Sequence, residues 1–198
     1  MRYLFLTFFI VFTNNISLLA DSQGGRQSNS INIDGISLND SMLDFFSLSE
    51  IKEAIRDTEL SYPNSDKFYD VSFESSDEEF DQITVSFKKN DNKYKVYHLD
   101  GLKICDTQRE CKKIYNDQVN AIRKLMPNAK EDEYDFIYPK DIDPSGKSIA
   151  YVIDFLLASK DTIRVYNIDW SSNVDYGDNV RLAISSNEFL DFLFNDAY

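Results

Sequence analysis

Apolar and polar residues alternate one for one in three stretches of the first half of the chain. Tyr69, Val71 and Phe73 interleave with Asp70, Ser72 and Glu74; Ile83, Val85 and Phe87 with Thr84, Ser86 and Lys88; and Tyr94, Val96 and His98 with Lys95, Tyr97 and Leu99. A period of two sends successive side chains to opposite faces, so each stretch is predicted to be a strand. Polar segments at 75–81 and 89–92 separate them, and an antiparallel meander is the simplest connection. Asp100-Gly101 reads as a tight turn into a short strand that ends near Cys105.

Helical spacing governs other segments. Asp40 is placed to cap a short helical turn carrying Leu43 and Phe46. Ser47 with Glu50 three residues later forms a capping box for a helix carrying Ile51, Ala54 and Ile55. Thr107 and Glu110 repeat that signature ahead of Cys111, Ile114, Tyr115, Val119, Ile122 and Leu125, which share one helical face until Pro127 closes the run. Strand patterns return at 134–138, 147–157 and 162–170, and again at Val180, Leu182 and Ile184, with a hairpin turn at 159–161. Ser185 with Glu188 is the expected cap of a last helix carrying Phe189, Phe192 and Leu193.

The order helix, four strands, helix, four strands, helix predicts an α+β fold. Its sheet is mainly antiparallel, of seven or eight strands, with helices packed on one face. A duplicated helix-plus-four-strand unit, with halves 33–105 and 106–198, would generate the same order. The sheet face without helices, supplied from 12 Tyr and 15 Phe, would suit a binding surface.

Ahead of this domain the pattern is different. Arg2 precedes an apolar run from Tyr3 to Phe12, Asn14 and Asn15 break it, and Ala20 is a small residue at a cleavage position, so 1–20 reads as a signal peptide. The run is about half of the roughly 20 residues that a spanning helix needs, which argues against stable membrane insertion. Residues 21–32, rich in Ser, Gly, Asn and Gln, read as a flexible leader, and 33–198 as a single domain. The expected location is exported, either periplasmic or secreted.

Charge narrows the partners. With 21 Lys and Arg against 34 Asp and Glu the net charge is −13, which repels phosphate backbones and disfavours nucleic acid. Two cysteines in an exported chain predict one disulfide, Cys105 to Cys111, as a clamp on the start of the second helix. Ligand count argues against a zinc site on this pair, since His98 is the single histidine.

Catalytic patterns stay incomplete. Gly146-Lys147-Ser148 matches the end of a phosphate loop, but position 141 is Asp where that loop needs Gly, and a strand follows instead of a helix. Asp141, Asp143 and Ser145 alternate as calcium ligands do and Gly146 permits a sharp turn. Val152 stands where a bidentate Glu would complete an EF-hand, which leaves a looser oxygen-lined Ca²⁺ site, aided by Asp169, Asp175 or Asp178, as the metal expectation. No nucleophile elbow accompanies His98, and no catalytic residues or bound cofactor are assigned.

Ile33-Asp34-Gly35-Ile36-Ser37-Leu38-Asn39-Asp40-Ser41-Met42-Leu43-Asp44-Phe45-Phe46-Ser47 resembles the opening of a set of small exported bacterial proteins of unassigned function. Asn128-Ala129-Lys130, the Asp143-Pro144-Ser145-Gly146-Lys147-Ser148 stretch and Asp169-Trp170 follow in the same order. That set often has a Cys shortly before the Asp-Trp pair, where this chain has Asn167. The resemblance therefore leaves open whether Cys111 takes its usual partner or a local one in Cys105. It implies no activity. The expectation is an exported, non-catalytic domain that binds a protein or peptide. The alternatives are a secreted hydrolase using paired carboxylates and a Ca²⁺-binding exported protein.

Overall fold

The computed structural model describes residues 31–76 and 78–198. The signal-peptide reading of 1–20 and the leader up to residue 30 lie outside the described residues. Ile31, two residues ahead of the expected boundary, is already buried.

A short 3-10 turn, Met42–Asp44, leads into α1 (Leu48–Thr58). Four strands follow, β1 (Leu60–Tyr62), β2 (Ser65–Glu74), β3 (Gln82–Lys88) and β4 (His98–Ile104), and then α2 (Gln108–Leu125). Four more strands, β5 (Lys130–Ile137), β6 (Ile149–Leu156), β7 (Thr162–Asp169) and β8 (Asn179–Ser185), precede α3 (Asn187–Asn195). All eight strands join one antiparallel sheet in the order β1-β2-β3-β4-β8-β7-β6-β5. That order is palindromic. Two up-and-down meanders, each preceded by a helix, meet at their last strands, with His98 opposite Ser185 and Ile104 opposite Asn179.

Burial follows the alternation. Val71, Ile83, Val85, Leu99, Phe155, Val165 and Leu182 point to the face where Ile51 of α1 and Cys111, Val119 and Ile122 of α2 close the main core. The expectation of helices on one face holds for α1 and α2. α3 lies on the other side, because its Phe189 and Phe192 pack on Phe68, whose neighbour Tyr69 belongs to the main core. Lys88 Nζ, 2.7 Å from a Glu188 carboxylate oxygen, and the Asn187 amide, donating to Asp161 at 3.0 Å, tie the start of α3 to this second face.

Local chemistry moves several boundaries. The strand expected through Tyr94 begins only at His98, because the Asp91 carboxylate accepts the amides of Lys93 and Lys95 and Tyr94 sits at φ 48°. Asp100-Gly101 is no turn but the middle of β4. A Cβ at Gly101 would lie 2.6 Å from the Phe80 ring and 2.9 Å from Ile33, so close packing explains this glycine. Ser41 caps the 3-10 turn while Asp40 accepts from the Ser37 amide. Ser186, not Ser185, caps α3. Ser47 and Glu50 form the expected capping box, and Thr107 caps α2 while Glu110 accepts from the Asp106 amide.

Cys105 and Cys111 form the disulfide, with Cα atoms 5.5 Å apart, and Cys111 is fully buried in the first turn of α2. Among the described residues no helix is long and apolar enough to cross a membrane.

Candidate functional site

α3 covers one end of the second sheet face and leaves the rest in view. Between α3 and the middle of the sheet lies a cleft of about 320 Å³. Its floor comes from the outward positions of three adjacent strands: His98 and Asp100 on β4, Arg181, Ala183 and Ser185 on β8, and Thr162, Arg164 and Tyr166 on β7. Its wall is Phe189, Leu190 and Leu193 of α3, with Tyr62 and Tyr198 beside them. One side is polar and charged, the other apolar.

Each ionised side chain on this floor is held by a partner. Asp100, buried, accepts from Arg181 Nε at 3.0 Å. The carboxylate beside Arg181, with their hydrogen bond, raises the guanidinium further against the opposing effect of burial. Arg164 reaches Asp154 on β6 through both Nε and Nη2, the latter at 2.6 Å, and donates Nη1 to the Tyr166 hydroxyl at 3.2 Å. That fork leaves Arg164 fixed in orientation and its charge matched. Farther along, Asp70 accepts from the Tyr62 hydroxyl at 2.9 Å and from Ser86.

Two groups stay neutral at pH 7. Burial pushes the His98 imidazole down, Arg181 and Arg164 add to the effect, and Asp100 and Asp70 oppose it. Its Nδ1 lies 2.8 Å from Ser185 Oγ and its ring stacks on Phe189 with centroids 4.8 Å apart. Burial pushes the Tyr166 phenol up, so it keeps its proton. Tyr166 lines the cleft and accepts from Arg164, so its own O–H is still available to donate.

Beyond the cleft the same face carries aromatic rings in sequence. Tyr138 lies 4.4 Å from Trp170, which lies 4.8 Å from Tyr176, and Phe136 is 5.1 Å from Tyr138. They pack over Ala150, Val152 and Ile168, and Tyr134 and Phe136 on the edge strand β5 are exposed.

The calcium expectation meets a different arrangement. Asp143 is buried, and its carboxylate accepts from the amides of Ser145, Lys147 and Ser148 and from the hydroxyls of Ser145 and Ser148, all at 2.8–3.0 Å. Burial acts to raise this carboxyl, but the five bonds outweigh it and hold it far below the usual range. Donors therefore stand where a cation would sit. The Asp-Pro-Ser-Gly-Lys-Ser stretch is a loop folded around its own carboxylate, with Ser148 Oγ also accepting the Ser171 amide and Gly146 at φ 65°. Asp141 is exposed and does not join Asp143, and no group of three His, Cys, Asp or Glu able to hold a metal occurs among the described residues.

His98 lies in the cleft but as a neutral, Ser185-bonded ring. The residues that build the floor, Arg164, Tyr166, Arg181 and Asp100, were not singled out from sequence. The available signal was charge at the outward positions of Ile163-Arg164-Val165-Tyr166 and Val180-Arg181-Leu182. Comparison with protein-family models, curated proteins and solved structures returns no match.

Proposed function

We propose that this is an exported binding domain, without catalysis, that holds a protein or peptide partner on the sheet face carrying α3. The observation that supports the reading most is the cleft, where an ordered polar floor meets an apolar wall beside a half-buried aromatic row. Acid and base catalysis by paired carboxylates fits less well. The cleft lining offers one acidic side chain, Asp100, and Arg181 already engages it. The disulfide and the short apolar run at 3–12 support the exported part of the reading.

The test is affinity capture from the native envelope or extracellular fraction with three baits. Tyr134→Arg with Phe136→Glu alters the exposed edge of the face, and Lys113→Glu alters the far side of α2. A partner held by the wild-type and Lys113→Glu baits and lost from the face variant supports the reading. A partner lost only from the α2 variant overturns it.

A further inference from the structure

The charged floor of the cleft stands on the three central strands, where apolar residues would pack at no desolvation cost. A buried ion pair is often no more stabilising than a hydrophobic pair of the same volume, so Asp100 with Arg181 calls for a role beyond stability. The details of the pair indicate one. Asp100 engages only the Nε edge of Arg181, and among the described residues neither Nη nitrogen meets a hydrogen-bond partner. The Arg181 side chain is 40% exposed while that of Asp100 is 6% exposed. The carboxylate thus sits beneath and orients the guanidinium of a residue that lines the cleft, and leaves its Nη edge unengaged. Arg164 plays no such part, because Asp154 and Tyr166 occupy all three of its nitrogens.

A free guanidinium edge matches a two-oxygen acceptor, and the spare Tyr166 proton supplies a further donor beside it. Opposite them stand the apolar side chains of Phe189, Leu190 and Leu193. Net charge decides between anions. A chain at −13 repels multiply charged groups, so one carboxylate on an apolar body suits it better than a phosphate.

We propose that the cleft binds an apolar carboxylate, its carboxyl on the Nη edge of Arg181 and the Tyr166 hydroxyl and its apolar body against α3. The chemistry is met by the last residue of a peptide that ends in a large apolar side chain and equally by a free small acid. This assignment rests on the reading of this face as a binding surface and names what the surface recognises.

Calorimetric titration of the full chain uses four probes: N-acetyl-phenylalanine, N-acetyl-phenylalaninamide, a pentapeptide ending in Phe, and inorganic phosphate. The acid is expected to saturate one site and the amide to bind at least about tenfold more weakly, as loss of a charge-assisted fork requires. Arg181→Lys, which keeps the charge beside Asp100 but not the fork, is expected to lose about as much while its melting temperature stays near wild type. Phe-peptide affinity at least about tenfold above that of the free acid assigns the site to chain termini, and equal affinity assigns it to small acids. The proposal is overturned by an amide that binds as well as the acid, by phosphate binding more tightly than either, or by no binding of any probe at about 10 mM. Acid binding that Arg181→Lys leaves intact also overturns it. The two readings separate: capture that the Tyr134→Arg, Phe136→Glu variant abolishes and Arg181→Lys spares keeps the face as the partner surface, and acid binding that is absent or insensitive to Arg181→Lys then removes the carboxylate alone.

Discussion

Arg181 and Asp100 face each other across the junction of the two meanders, Nε to Oδ1 at 3.0 Å, on the paired strands β8 and β4. No other ion pair among those described joins β4 to β8, so the seam between the two meanders carries one ion pair, with very unequal exposure on its two sides, beside the neutral contact of His98 with Ser185.

That inequality predicts unequal mutational costs. Arg181→Leu strands a buried carboxylate and is expected to cost about 3 kcal/mol. Asp100→Asn leaves a guanidinium that water already reaches, and the cost should be about 1 kcal/mol. The double replacement by leucine should recover most of the first loss, since an apolar pair removes the stranded charge. Urea unfolding of the three variants reads the order directly, and equal losses for the two single changes would contradict it.

Gly101→Ala is expected to destabilise the protein by about 1–3 kcal/mol although alanine is the better residue for a strand in open space. The new methyl would stand 2.6 Å from the Phe80 ring and 2.9 Å from Ile33 Cγ2, and both are buried. Phe80→Leu should relieve part of the clash, so the two changes together should cost less than their sum. Thermal melts of the single and double variants check this.

The disulfide closes a loop of six residues in sequence separation, and loop-closure entropy at that length gives about 2 kcal/mol. Replacing both cysteines by serine should lower stability by about that amount. Faster amide exchange should appear first at the start of α2, where Cys111 is pinned. Unchanged exchange there, with loss spread over the sheet, would place the stabilisation elsewhere.

The element order and the main core were legible because they depend on local periodicity. Val71, Ile83, Val85 and Ile122 fall inside wherever the strands pair, and Ser47 caps α1 with Glu50 next to it in sequence. Three features were not legible, two for want of a distant neighbour and one for want of the path its own loop takes. Gly101 resembles a turn residue until Phe80 is placed over it. Ser185 resembles a helix cap until His98 is placed opposite it in the sheet. Asp143 resembles a calcium ligand until the loop folds its own donors around it. The cleft was hidden because its parts are distant in sequence. Arg181 and Asp100 lie 81 residues apart, and only the β4 to β8 pairing, which no local pattern encodes, brings them together.

His98 is the single histidine, so its titration is readable without assignment ambiguity. Burial depresses it below the ordinary value of 6.5, with Arg181 and Arg164 lowering it further and Asp100 and Asp70 acting the other way. An unfolded chain with the ordinary value binds this proton at higher pH than the folded chain does. Between the two midpoints the unfolded state therefore holds more protons, and stability rises with pH. The contribution of the neutral imidazole is complete above the unfolded value and declines as pH falls below it. Wild-type stability should accordingly drop between about pH 7 and 5, and His98→Asn should flatten that segment of the profile. Proton NMR of the ring should give a midpoint below 6.5, and a midpoint above it would reverse the sign of the slope and remove the argument for a neutral ring against Ser185 and Phe189.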